Sequence, residues 1–169
     1  ASRQKVMDEL SSRLIKALLT QTQLPLGRVA NHAGLANPRA LNRETQRLFK
    51  STAGQVRAEH ADTDARAKDP FVREAIGFEL PVQGPYDLDW VFDYLAARAL
   101  QGIETVKDRH YQRRVSPAGA SPVYVHVYAQ KRALHTRLPL NCGPARSWLA
   151  RVVRLFDVGV DSRVIDRAL

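Results

Sequence analysis

The sequence has one cysteine and one methionine in 169 residues, and only 7% of it is aromatic. A lone thiol at Cys142 cannot close an internal disulfide or complete a cysteine-based zinc site, and it fits a reducing, cytoplasmic setting. No run of about 18 apolar residues occurs, so no membrane partner is expected. No secretory leader is visible at Ala1, and the missing initial Met leaves room for an upstream segment. A phosphate-binding glycine loop, an HExxH pair and a nucleophile elbow are all absent, so no small-molecule cofactor is expected. Carboxylates are also scarce: 17 Asp and Glu stand against 26 Lys and Arg, a net charge of +9. Residues 1–60 carry ten of the cations and four of the carboxylates, which is where an anionic polymer would settle. With 44% hydrophobic and 25% charged residues, the rest reads as an ordinary globular chain of one domain or two small ones.

What is present is clearest in residues 18–37. Leu26, Val29 and Ala30 give a short helix one apolar face, Gly34 permits the positive φ that ends it, and Asn37-Pro38 supplies an N-cap with proline at the first helical position. A second helix follows, with Leu41, Thr45 and Leu48 facing inward at i, i+4 and i+7. Arg39, Arg43, Arg47 and Lys50 are left as a cationic stripe on its outer side. Such a stripe is often only a solvated helix face. Here a long support helix from about Lys5 to Thr20 precedes it, and this order matches the helix-turn-helix geometry in which the last helix enters the major groove.

The residues Leu18-Leu19, Leu24-Pro25-Leu26, Val29-Ala30 and Gly34-Leu35, with Arg57 beyond, resemble the second helix-turn-helix of AraC-type regulators. The resemblance implies a recognition helix from about Asn37 to Phe49 and double-stranded DNA as partner. Asn37, Arg39, Ala40, Asn42, Arg43, Gln46, Arg47 and Lys50 would be the DNA-facing residues. The glycine that usually closes this helix is replaced by Lys50 or displaced to Gly54, and one motif stands where the family carries two in tandem. Few base contacts follow from a single motif, so specific binding by this chain alone should be weak.

The stretch from Glu59 to Arg73 is polar, lacks an apolar period and includes Pro70, as a linker would. Beyond it the period shifts to two. Ile76, Phe78, Leu80 and Val82 alternate with Gly77, Glu79 and Pro81, and the same pattern recurs around Val123, Val125 and Val127 and around Leu134, Thr136 and Leu138. Further strands are expected at Glu104–Lys107 and His110–Val115, with Ser116–Pro122 as a turn. One helix should run from about Asp87 to Leu100, burying Val91, Leu95 and Ala99. Another should span about Ala145 to Phe156, burying Trp148, Leu149, Val152, Leu155 and Phe156. The expected fold class is α+β: a small all-helical helix-turn-helix module, then an antiparallel β-sheet with two helices on one face. The division expected is residues 1–60, a linker at 61–74, and 75–169.

The run Pro85–Val106, followed by His110-Tyr111, is similar to the amino-terminal domain of AlkA-type 3-methyladenine DNA glycosylases, which is TBP-like in fold. Ala150–Asp157, with Asp161–Leu169 behind it, resembles the end of that domain. Joined to the upstream motif, the arrangement resembles Ada/AlkA fusion proteins. In that family catalysis belongs to the domain that follows, a helix-hairpin-helix with a catalytic Asp that acts on a base flipped from the stack. The resemblance therefore implies a non-catalytic fragment of a repair glycosylase, with the absent carboxy-terminal catalytic domain as its second partner. The alternative is a self-contained AraC-type transcription regulator whose sheet domain senses a ligand or serves as an interaction module.

Other constellations carry less. Asp87 and Asp89 sit at a helix start, where capping favours Asp. His126 and His135 fall on neighbouring strands without further ligands at metal spacing. Trp90 and Trp148 occupy core-compatible helix positions. Tyr124, His126 and Tyr128 would line the sheet face away from the helices with Arg137 nearby, a surface on which bases can stack, although packing on a neighbour or plain solvation is the simpler expectation.

Overall fold

Val6, Leu10, Leu14 and Leu18 recur every four residues, with Ile15 and Leu19 one step on, so the first helix carries two adjoining apolar rows and must be covered on more than one side. The computed structural model describes residues 3–60, 75–82 and 84–159. In it, α1 (Arg3–Gln21) is the common wall of the molecule, and those six side chains are at most 3% exposed. α2 (Leu26–His32), α3 (Pro38–Phe49) and α4 (Ala53–Glu59) pack on one side of it. Leu41 and Thr45 of α3 are fully buried there and Leu48 is half-buried, as their spacing required.

Local chemistry sets the boundaries. Gly34 has φ +74 and makes the turn between α2 and α3. The Asn37 side chain accepts from Ala40 N at 2.9 Å, and Pro38 opens α3. Lys50, with φ 57, takes the left-handed position that closes α3, while Gly54 lies inside the next helix. That helix, α4, is too short to show a hydrophobic period. Its signal was a capping box: Gln55 N donates to Thr52 Oγ1 at 3.3 Å and Thr52 N donates to the Gln55 side chain at 2.8 Å. The linker expected at 61–74 and the segment 160–169 lie outside the described residues.

Five strands follow: β1 (Ala75–Leu80), β2 (Glu104–Lys107), β3 (His110–Val115), β4 (Val123–Gln130) and β5 (Ala133–Pro139). They form one sheet in the order β1-β5-β4-β3-β2, every neighbouring pair antiparallel. β1 stops at Leu80, so Val82 falls beyond the strand. α5 (Leu88–Ala96) and α6 (Ala145–Leu155) cover the face that carries Ile76, Leu80, Tyr111, Val125, Val127, Leu134 and Leu138. At its centre Phe156 meets Phe92 and Tyr111 edge-on, each at 5.6 Å. The structure corrects several details. α5 ends at Ala96 rather than Leu100, because the chain turns through Gly102 (φ +79) toward β2. It buries Phe92 and Leu95, with Val91 only half-buried and Ala99 beyond its end. Trp90, on the far side of this short helix, is 61% exposed and stacks on Tyr94 at 5.2 Å. Leu155, at the rim of α6, is 39% exposed, whereas Phe156 is buried.

The helical part and the sheet share one hydrophobic core. β1 is an edge strand, whose unpaired backbone groups need partners. Gln21 supplies them as a neighbouring strand would: its Nε2 donates to Gly77 O at 2.7 Å and its Oε1 accepts from Gly77 N at 2.9 Å. Arg13 adds a bond to Glu79 O at 2.6 Å. On the other side His32 Nδ1 accepts from Ala145 N at 3.3 Å, and Arg146 reaches Ser11 Oγ at 3.4 Å while its stem lies against Gly34. A methyl group at Gly34 would collide with Arg146 Cδ and would also hold alanine in a left-handed conformation. Gly34→Ala should therefore lower stability by about 1–3 kcal/mol, seen as a reduced urea midpoint at unchanged m-value.

Candidate nucleic-acid interface

With Leu41 and Thr45 turned into the core, α3 presents Arg39, Arg43, Gln46 and Lys50 outward as one exposed row. Arg39 and Arg43 enter no ion pair among the described residues. The other four positions singled out from sequence are engaged internally. Arg47 bonds Glu44 Oε1 at 2.6 Å and reaches back to Asp8 Oδ1 on α1 at 3.2 Å. Asn37 is occupied by its cap, and Ala40, half-buried, donates the N–H that this cap receives. Asn42 Oδ1 accepts from Ala53 N at 3.0 Å and so secures the start of α4. Lys50 stays exposed, with Nζ donating to Arg47 O at 3.3 Å. Arg57 closes the corner between α1 and α2 through bonds to Leu19 O at 3.4 Å and Leu24 O at 2.7 Å, and burial lowers its pKa. Helical spacing alone placed Arg47 in the stripe; only the packing of α1 beside α3 brings Asp8 to it.

The sheet face opposite the helices is the second polar surface. Strand register pairs His110 with Tyr128, Tyr128 with His135, His126 with Arg137 and Arg114 with Tyr124. The His110 and Tyr128 rings stack at 5.6 Å and 9°, and Tyr128 and His135 at 5.3 Å and 18°. His110 Nδ1 lies 2.9 Å from His126 Nε2. Burial, then His110 and Arg137, lowers the pKa of His126. His110 joins this group only through register, which a single sequence does not reveal. Its position is set by the β2–β3 turn at Asp108 and Arg109, both left-handed with φ 50 and 59.

On the helix side, Glu104, Tyr111, Arg113, Trp148, Arg151 and Leu155 line a cleft of about 380 Å³. Tyr111 Oη and Arg113 both donate to Glu104 Oε1, at 2.7 and 2.8 Å. Burial, and then that bond to Glu104, pushes the Tyr111 phenol up to about 12. Burial acts to raise the Glu104 pKa, but bonds from Tyr111, Leu100 N and Arg113 bring it below the usual value. Arg151 lies over the Trp148 ring at 4.5 Å. The polar groups of the cleft thus answer one another. Asp87 caps α5 by accepting from Trp90 N at 3.0 Å, and Asp89 accepts from Arg109 at 2.6 Å, so both carboxylates are taken up structurally. Among the described residues no three His, Cys, Asp or Glu side chains gather as a metal site, and no helix is long and apolar enough to cross a membrane.

A five-stranded antiparallel sheet backed on one face by α5 and α6 defines an α+β domain of the AlkA amino-terminal class. The model of the AlkA N-terminal domain family matches residues 77–169, and the chain belongs to that family. It is 33% identical over 94 residues to DNA-3-methyladenine glycosylase 2 of Escherichia coli (strain K12), covering 54% of this chain and 33% of that protein. It is 30% identical over 158 residues to the probable bifunctional transcriptional activator/DNA repair enzyme AlkA of Mycobacterium tuberculosis (strain ATCC 25618 / H37Rv), covering 91% of this chain and 31% of that protein. The chain therefore spans about a third of the length of these relatives.

His32 links α2 to the start of α6, the helix that covers the sheet. It is 3% exposed, and donation from Ala145 N to Nδ1 leaves the proton on Nε2. Nε2 is buried without a hydrogen-bond partner among the described residues. Burial, then the nearby Arg28, lowers its pKa from 6.5. The unfolded chain takes up a proton near pH 6.5 that the folded chain refuses until lower pH, so this contribution is complete above pH 6.5 and is lost as pH falls below it. Stability measured by urea unfolding should drop over that range. His32→Gln should flatten the slope in part, the remainder coming from His126, whose shift has the same sign.

Proposed function

We propose that this chain is the DNA-binding and structural part of a DNA alkylation-repair protein of the Ada/AlkA fusion type. Residues 1–60 form an AraC-type helix-turn-helix module that meets duplex DNA through α3, residues 61–74 are the linker, and 75–169 form the AlkA amino-terminal-type domain. Base excision belongs to a further, glycosylase domain of the parent protein, which the sheet domain buttresses. The observation that carries the reading is the outward row of α3, where Arg39 and Arg43 stand exposed without an anionic partner among the described residues. Uncompensated guanidinium groups spaced along one helix face suit phosphates and guanine edges. The similarity to the bifunctional mycobacterial relative supports it, because that match runs through both the helical and the sheet parts.

A ligand-sensing regulator is the second reading, favoured by the cleft beneath α6. Its polar groups already satisfy one another, so a ligand would have to displace bonds rather than fill vacancies. Both readings place α3 on duplex DNA, and they separate on small-molecule binding in the cleft, which only the second requires. Arg39→Ala with Arg43→Ala should weaken duplex binding by about tenfold or more and reduce the slope of log affinity against log salt by about two. The unaltered chain should release no 3-methyladenine from alkylated DNA. Unchanged affinity and slope in the double variant, by fluorescence anisotropy across a salt series, would overturn the reading.

A further inference from the structure

We propose that the open face of the sheet is a binding platform for single-stranded DNA. The choice of DNA rests on the repair reading above; the platform itself rests on composition and register. Along β4 a ring stands at every second residue, Tyr124, His126 and Tyr128, a backbone repeat of about 7 Å, and the His126 and Tyr128 rings lie 4.9 Å apart. Beside these rings register places cations: Arg114 next to Tyr124 and Arg137 next to His126. Lys107 pairs with His110, whose ring continues the stack from Tyr128. Tyr124 is 51% exposed and His110 is exposed, so the outer rings can receive a planar partner without displacing protein.

Charge and composition select the occupant. On β2, β3, β4 and β5 this face carries no carboxylate and no Leu, Ile, Val, Phe or Met, and the carboxylate on β1, Glu79, lies at the edge with Arg13 3.7 Å away. A packed protein interface would bring an apolar centre, which is missing here. Rings interleaved with fixed cations instead match a ligand that alternates π faces with anions. A duplex hides its base faces within the stack, and only a single strand can lay them on such a surface.

The test uses the full chain and three labelled probes, an oligothymidylate, an oligouridylate of the same length and a duplex of random sequence, followed by anisotropy. Tyr124→Ala with His110→Ala alters two exposed rings. It should weaken oligothymidylate binding on the order of tenfold while leaving duplex affinity unchanged and the cooperative thermal unfolding of the chain intact. Tyr128→Phe, which keeps the ring, should bind the single strand as the parent does. Unchanged oligothymidylate affinity in the folded double variant overturns the platform, as does tighter binding of oligouridylate than of oligothymidylate. Failure of Arg39→Ala with Arg43→Ala to affect the duplex would sink the α3 reading alone and leave this one standing.

Discussion

The double apolar row of α1 is the constraint on which the rest of the molecule depends. A surface helix needs one buried stripe, whereas Val6, Leu10, Leu14 and Leu18 together with Ile15 and Leu19 demand cover from two directions. The three short helices provide one side and β1 the other. Neither short helices of seven residues nor a single edge strand would hold alone, because each buries too little surface to offset its own ordering. Their stability is borrowed from α1.

This arrangement has a consequence for both polar surfaces. α3 is held at its inner side by Leu41 and Thr45, at its start by the Asn37 cap, and at its end by the Arg47 bridge to Asp8. Its outward row is thereby presented on a rigid support, with the flexibility left in the arginine side chains themselves. The same α1 closes the free edge of the sheet through Gln21. The edge strand cannot recruit another chain there, and the open face keeps a defined register out to β1.

The two surfaces differ in what they ask of a ligand. α3 offers point cations on a convex helix, suited to the charged outside of a duplex. The sheet offers stacked rings with cations between them, suited to exposed bases. Membership of the AlkA N-terminal domain family covers the sheet part, while the similarity to a bifunctional relative extends over the helical part as well. One continuous core holds both surfaces in fixed relation.

Much of this was legible in the residues. The order of elements, five strands among them, followed from the change of period from near four to two, and the α2–α3 turn from Gly34 and Asn37-Pro38, because these are local preferences of the backbone. Periodicity does not reveal α4, because seven residues are too few to show one, although its capping box is present. Periodicity points Trp90 and Leu155 inward and the structure leaves them exposed, because a period says which residues share a face but not how wide a face the sheet can cover. What the amino-acid order determined by itself was therefore the kind and sequence of elements and the surplus of positive charge. Tertiary structure alone decided that Arg47 answers Asp8, that Gln21 completes the edge of the sheet, and that His110 stacks on Tyr128. Each of these joins residues far apart in the chain, and such pairings are set by packing and strand register rather than by any local preference.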